Sequence, residues 1–145
     1  MEARWYGSGT ASFDFPLDVY AIGDAIQIPR APKYPCRVVV SYPEFRFRPD
    51  LELWIDNPTL AAIGHGCSSG GMATGLACFD FDVVGVTGFD GYNELGKSIG
   101  DEMMDRHRIM LERWIAKGKR LVSLMPVSMF NDILEPAEDF LRSVH

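Results

Sequence analysis

Three short loops concentrate the residues able to hold an anion or move a proton. The first is Gly7-Ser8-Gly9-Thr10-Ala11-Ser12. Glycines let a ligand approach the backbone, and successive N–H groups beside hydroxyls make an anion nest. The loop lacks the third glycine of a dinucleotide fingerprint and the lysine of a Walker loop, and a tight turn uses the same residues. The second is Ser68-Ser69-Gly70-Gly71, just after Cys67. Ser68 or Ser69 suits a helix N-cap, and a helix N-terminus offers N–H groups and a positive dipole end to an anion. Gly70 and Gly71 carry no side chain to obstruct that approach, although close helix–sheet packing would ask for the same glycines. The third, Thr87-Gly88-Phe89-Asp90-Gly91-Tyr92, follows an apolar run and brackets an acid with glycines. Asp90 is the first acid to test there, with a plain turn as the alternative.

Of the three histidines, His65 precedes the serine–glycine cluster, His107 sits between Arg106 and Arg108, and His145 is terminal. His107 reads either as a surface histidine on a charged helix face or as a general base or phosphate-facing cation, because imidazole titrates near neutrality. Cys67 has only His65 as a neighbouring base, so a small buried thiol is the simpler reading than a nucleophile. Cys36, Cys67 and Cys78 show no metal-binding spacing and are expected to be reduced thiols. No metal site is expected.

These loops must hang on regular elements. Apolar and β-branched runs bounded by turn residues predict strands over 3–6, 18–23, 37–42, 51–56, 82–87 and 120–125. Helices are predicted over 69–79, 99–117 and 136–144. Met103, Ile109, Met110, Trp114 and Ile115 are the expected inner residues of the long helix, the pair Met103 and Met104 reads as core, Gly118 is its C-cap, and Pro136 opens the last helix. Strands alternating with helices predict parallel βαβ units with right-handed crossovers. The expected architecture is α/β: one Rossmann-like, three-layer domain over 1–145 with a mostly parallel central sheet. A β-sandwich is the alternative. In such a sheet ligands gather at the carboxyl ends of the strands, the edge where the three loops emerge. The Asp80-Phe81-Asp82 triplet imitates a metal-binding acidic pair but falls at the opposite edge, where both aspartates should be solvated.

Composition narrows the partners. With 14 basic and 20 acidic residues the net charge is −6, which argues against a nucleic-acid partner but not against a small phosphorylated ligand. No apolar run reaches the roughly 18 residues of a membrane span, and no signal-like segment opens the chain. A soluble, cytoplasmic protein is expected, with a homodimer possible.

In this order, "GSGTAS", "SSGGMATGLACFDFDVVGVTGFDGY", "RHRIMLERWIAKGKR" and "LVSLMPVSMF" resemble the motifs of the Rossmann-like sialyltransferase superfamily. That superfamily includes the bacterial family-42 glycosyltransferases, the motility-associated 6-hydroxymethylpterin diphosphokinase-like proteins and their short phage relatives. The resemblance covers most of the chain. It implies a nucleotide or phosphate site at Gly7, Gly9, Ser12, Ser68, Ser69 and Gly70, beside which Ser8 and Gly71 lie. It also implies that Tyr92 touches the leaving phosphate and that His107 is the base. For a phage-encoded member the compartment is the host cytoplasm. The chain departs from the pattern in two ways. Gly23-Asp24 stands where the second strand usually ends in an asparagine, and no acceptor domain is evident.

The expected activity is metal-independent glycosyl transfer, with a nucleotide sugar as co-substrate and no obligatory cofactor. His107 would deprotonate the acceptor, and Tyr92 with the helix N-terminus would stabilise the departing phosphate. One alternative is a protein that binds a nucleotide or nucleotide-derived signal without turnover. Another is a Mg²⁺-dependent pyrophosphokinase or phosphotransferase using Asp24, Asp90 and Glu94.

Overall fold

Val19, Tyr20, Ala21 and Ile22 form a strand with no exposed face. Burial on both faces is the mark of a central strand in a parallel sheet, and it explains the unbroken apolar run. In the computed structural model, the described residues are 3–8, 16–23, 29, 32–41, 49–53, 69–87, 97–124 and 130–144, with side chains from 101 onward in the long helix. The chain divides into two compact units, Met1–Ala77 and Cys78–His145.

The first unit holds four strands, β1 (Tyr6–Ser8), β2 (Val19–Ile22), β3 (Arg37–Val40) and β4 (Glu52–Leu53). They lie in that order, and every pairing is parallel. Leu17, Tyr20, Ile22, Val40 and Leu53 pack into one core, flanked by Cys36, Val38 and Leu51. Removing an Ile or Val side chain from water stabilises by roughly 1.5–3 kcal/mol, so this cluster is what holds such short strands together. β1 starts later than the sequence pattern indicates. The Trp5 N–H is bonded to the Asp18 carboxylate at 2.7 Å, and the Trp5 carbonyl accepts from Asp18 N at 2.8 Å and Val19 N at 3.2 Å. This clasp occupies the chain ahead of Tyr6, and the ladder begins with Tyr6 opposite Val19. Gly7 and Ser8 are therefore the last two residues of a strand rather than the start of a loop.

Helix α1 (Ser69–Asp80) contains the boundary between the units. Gly71 through Cys78 are all buried, so the helix has no solvent-facing stripe along that length. Its small residues match the rule that a helix apolar all round is a buried one. Thr74 avoids an unsatisfied hydroxyl by donating to the Gly70 carbonyl at 3.0 Å.

The second unit comprises β5 (Val83–Val86), α2 (Lys97–Ala116), β6 (Arg120–Ser123), β7 (Glu135–Pro136) and α3 (Ala137–Val144). Its sheet runs β5-β6-β7, again parallel throughout. Two all-parallel sheets with helices make this an α/β protein, as the alternation of patterns indicates. β7 is not visible in the sequence pattern. Pro136, expected in the first turn of the last helix, instead closes an edge strand opposite Ser123. A proline lacks an N–H to donate, which an edge position tolerates.

The buried face of α2 is Met104, His107, Met110, Leu111 and Trp114. Ile109 (48 % exposed) and Ile115 (37 %) point outward, contrary to the inner stripe expected for them. The stripe is rotated so that a histidine takes a core position. α2 ends at Gly118 as anticipated. Gly118 has φ of +92°, its N–H bonds to the Ile115 carbonyl at 2.9 Å, and Lys119 N bonds to the Trp114 carbonyl at 3.2 Å. This pair of bonds is the Schellman arrangement, which needs a left-handed residue at Gly118. Gly118→Ala should destabilise by about 1 kcal/mol although the space around it is open, because the cost is conformational. Urea unfolding of the two proteins measures it, and equal midpoints would rule out the strain. Among the described residues, no helix is long and apolar enough to cross a membrane.

Candidate functional site

In the first unit the carboxyl edge of the sheet is built from Ser8, Ile22 and Val40, with Gly23 and Ser41 just beyond. Ser41 N continues the ladder by donating to the Ile22 carbonyl at 3.2 Å. The Gly23 N–H donates to Ser69 Oγ at 2.7 Å, across 46 residues of sequence. That bond sets the first turn of α1 at the carboxyl end of β2. Ser8 pairs with Ala21 on the adjacent strand, so it lies about one strand spacing (~4.8 Å) to the side and two residues below Gly23. Ser8 and the first turn of α1 at Ser69 and Gly70 thus lie at one sheet edge, with Gly7 one residue back along β1 and Gly71 next along the helix.

Their roles within that edge differ in detail. Ser69 is already helical, and its hydroxyl oxygen accepts from Gly23 rather than capping its own helix. Among the described residues no acceptor takes its hydroxyl hydrogen. Ser69 and Gly70 are half-buried and Gly71 is buried, so the approach to the helix end runs over the first two. The first N–H groups of any α-helix have no intrahelical acceptor, and here they end at the sheet edge where ligands of parallel sheets bind. Gly23, where the resemblance places an asparagine, joins this edge, and so does Ser41, which nothing in its local sequence marks. Only the register of β2 and β3 brings them there.

His107 belongs to the second unit. It is 0 % exposed, which excludes the surface reading. Its ring meets Phe130, also fully buried, edge to face at 6.4 Å between centroids. Burial lowers the imidazole pKa from 6.5 to about 4, so the ring is neutral at physiological pH. A neutral imidazole is the protonation state a base needs, yet a pKa near 4 weakens its pull on a proton. Next to it, Arg108 holds Asp132 with two bonds, Nη1 to Oδ2 at 2.6 Å and Nη2 to Oδ1 at 3.2 Å. The hydrogen bond from Arg108 holds the Asp132 carboxyl below its ordinary range. The same guanidinium lies 5.5 Å from the Phe130 ring centroid. At the carboxyl end of β6, the buried Ser123 hydroxyl donates to Asn131 Oδ1 at 3.0 Å. Phe130, Asn131 and Asp132 all come from one turn at 130–134, closed by Ile133 N and Leu134 N on the Phe130 carbonyl. The sequence motifs reach this turn only at Phe130, the end of "LVSLMPVSMF", because 131–134 has no glycine pattern and lies outside every periodic run.

Asp80 and Asp82 are exposed at the amino end of β5, and Asp82 pairs with Lys119 at 2.9 Å. This agrees with their expected solvation. The Cys78 thiol is free, and burial pushes its pKa up to about 12, which suits an inert core thiol. Gly9, Ser12, Ser68, Asp90 and Tyr92 lie outside the described residues, as do Asp24, His65, Cys67 and Glu94. Among the described residues no three His, Cys, Asp or Glu side chains are grouped to hold a metal ion. Comparison with protein-family models, with curated proteins and with solved structures finds no match to this chain.

Proposed function

We propose that the carboxyl edge of the β1–β4 sheet binds the phosphate of a nucleotide, and that the ligand is a nucleotide-activated sugar whose glycosyl group is transferred to an acceptor. One observation carries the nucleotide reading: the 2.7 Å bond from Gly23 N to Ser69 Oγ brings the α1 N-terminus beside Ser8 at that edge. Helix N–H groups, a hydroxyl donor and side-chain-free backbone together match a phosphate's acceptor oxygens. The transfer step rests on the resemblance to the Rossmann-like sialyltransferase superfamily, with Tyr92 at the leaving phosphate and His107 as base, and Asp90 is the acid to test beside them. Neither a metal nor a further cofactor enters this scheme. Binding without turnover is the second reading, and the complete burial of His107 favours it, since a base must reach the proton it removes.

A thermal-shift series with nucleotides, nucleotide sugars, pterins and Mg²⁺ at millimolar concentration tests the proposal. A ligand at 100 times its Kd adds about 2.7 kcal/mol, a rise of several degrees in Tm. Ser69→Ala should reduce that rise, having lost a hydrogen bond of about 1 kcal/mol. If no nucleotide moves Tm, both readings fail. If one does and it persists unconsumed with a range of hydroxyl acceptors, binding without turnover stands.

A further inference from the structure

One face of the β5-β6-β7 sheet is only partly covered. Alternate residues of a strand share a face, so Arg120, Val122 and Leu124 lie on one side, the last still in the ladder through its N–H on the Val86 carbonyl at 2.9 Å. The register puts Val83 and Gly85 of β5 on that side too, beside Arg120 and Val122. α3 sits there as well. Arg120 Nη2 donates to Ser143 Oγ at 3.0 Å, and its guanidinium lies 4.8 Å from the Phe140 ring centroid. Val122 is buried, whereas Val83 (44 % exposed) and Leu124 (54 %) are in water. Gly85 adds no side chain, and Leu124 lies across it, its Cδ1 2.7 Å from where a Cβ would stand. Parallel sheets are normally buried on both faces, so this apolar strip lacks the cover its class of sheet requires. α3 is incompletely covered too. Ala137, Phe140, Leu141 and Val144 form the stripe of a helix meant to bury one side, yet no residue of α3 is buried. Arg120 occupies the Phe140–Ser143 side. At about 100° per residue, Leu141 turns away from that side with Val144 between, and both are 53 % exposed.

We propose that a second copy of this chain docks on this face, with the two α3 helices packed antiparallel across a two-fold axis. Charge complementarity selects this occupant. Glu138 and Arg142 border Leu141 on its open side, one turn apart, and both are exposed. When the helix is laid against a reversed copy of itself, Glu138 meets the partner's Arg142, and the symmetry makes the pair twice. Leu141 and Val144 then close over their counterparts, beside the strip of Val83 and Leu124. A dimer through α3 stands or falls without the nucleotide reading.

Sedimentation velocity of the full chain tests the pairing. A small patch belongs with weak interfaces, so the mass should double with a dissociation constant of about 10–100 µM. Leu141→Glu should raise that constant about tenfold or more, because it sets a charge in the apolar seam. Leu141 is half in water, so the urea midpoint of the dilute monomer should not move, which separates lost pairing from lost folding. Arg142→Glu should weaken the dimer roughly fivefold to tenfold by opposing like charges at two places. Glu138→Arg combined with Arg142→Glu exchanges the two charges and should restore pairing to within about twofold. A chain that stays monomeric up to about 1 mM overturns the proposal. So does a dimer indifferent to Leu141→Glu, which would use another surface. Failure of the charge exchange to restore what Arg142→Glu removes overturns the antiparallel pairing on which the proposal stands.

Discussion

Acidification from pH 7 to pH 4 should cost the protein about 3 kcal/mol of stability through His107 alone. Above pH 6.5 the imidazole is neutral in both the folded and the unfolded chain, and it contributes no pH dependence. Between 6.5 and about 4 the unfolded chain takes up the proton while the buried ring does not, so the equilibrium moves towards unfolding. Below about 4 the folded state protonates too, and the loss levels off. The shift of 6.5 − 4 = 2.5 pH units, at about 1.4 kcal/mol each, sets a limit of about 3.5 kcal/mol, of which about 3 kcal/mol is lost by pH 4. Carboxylates such as Asp132, held below its usual range by Arg108, lose their contribution further down the pH scale. His107→Gln separates the two, since glutamine does not titrate. Urea unfolding at half-unit pH intervals should show the wild type falling relative to this variant between 6.5 and 4. Parallel curves would mean that His107 is hydrated in the folded state.

Phe130→Ala should be the most damaging single truncation in the second unit, at about 3–5 kcal/mol. The ring is fully buried between the imidazole of His107 and the guanidinium of Arg108, so its removal leaves a cavity with a polar wall. Such a cavity admits water, and the second effect follows from that. The His107 pKa should climb from about 4 towards 6.5, as read from the imidazole resonances in an NMR titration. Phe130→Leu keeps most of the volume and should cost less while leaving the pKa low. A variant that loses stability without moving the pKa would show that other groups keep His107 dry.

The two effects share a cause, the exclusion of water from α2 at the level of the 130–134 turn.

Much of the architecture was legible in the chain. β-branched runs between turn residues located β2, β3, β5 and β6, since buried parallel strands are continuous apolar segments. Helical spacing and the glycine at 118 bounded α2, because a Schellman turn leaves few other choices. The serine–glycine stretch before α1 was recognisable as a helix start, through the same local chemistry. Other features depended on contacts between distant residues. β1 is displaced because Asp18 captures the backbone of Trp5, and β7 exists only through its register with β6. The apolar stripe of α2 was misread because Ile109 and Ile115 fit the helical period as well as Met104 does. Which stripe faces inward depends on what α2 packs against. That choice put His107 in the core, and no pattern of hydrophobicity nominates a histidine for burial.

The sequence by itself determined the class of fold and the identity of the small residues at the first sheet edge, because turn chemistry and hydrophobic period are local properties. Tertiary structure decided that Ser69 bonds to Gly23 and that His107 lies dry beneath Phe130. Hydrogen bonds across 46 residues and desolvation by a distant turn are properties of the folded neighbourhood, not of any segment in it.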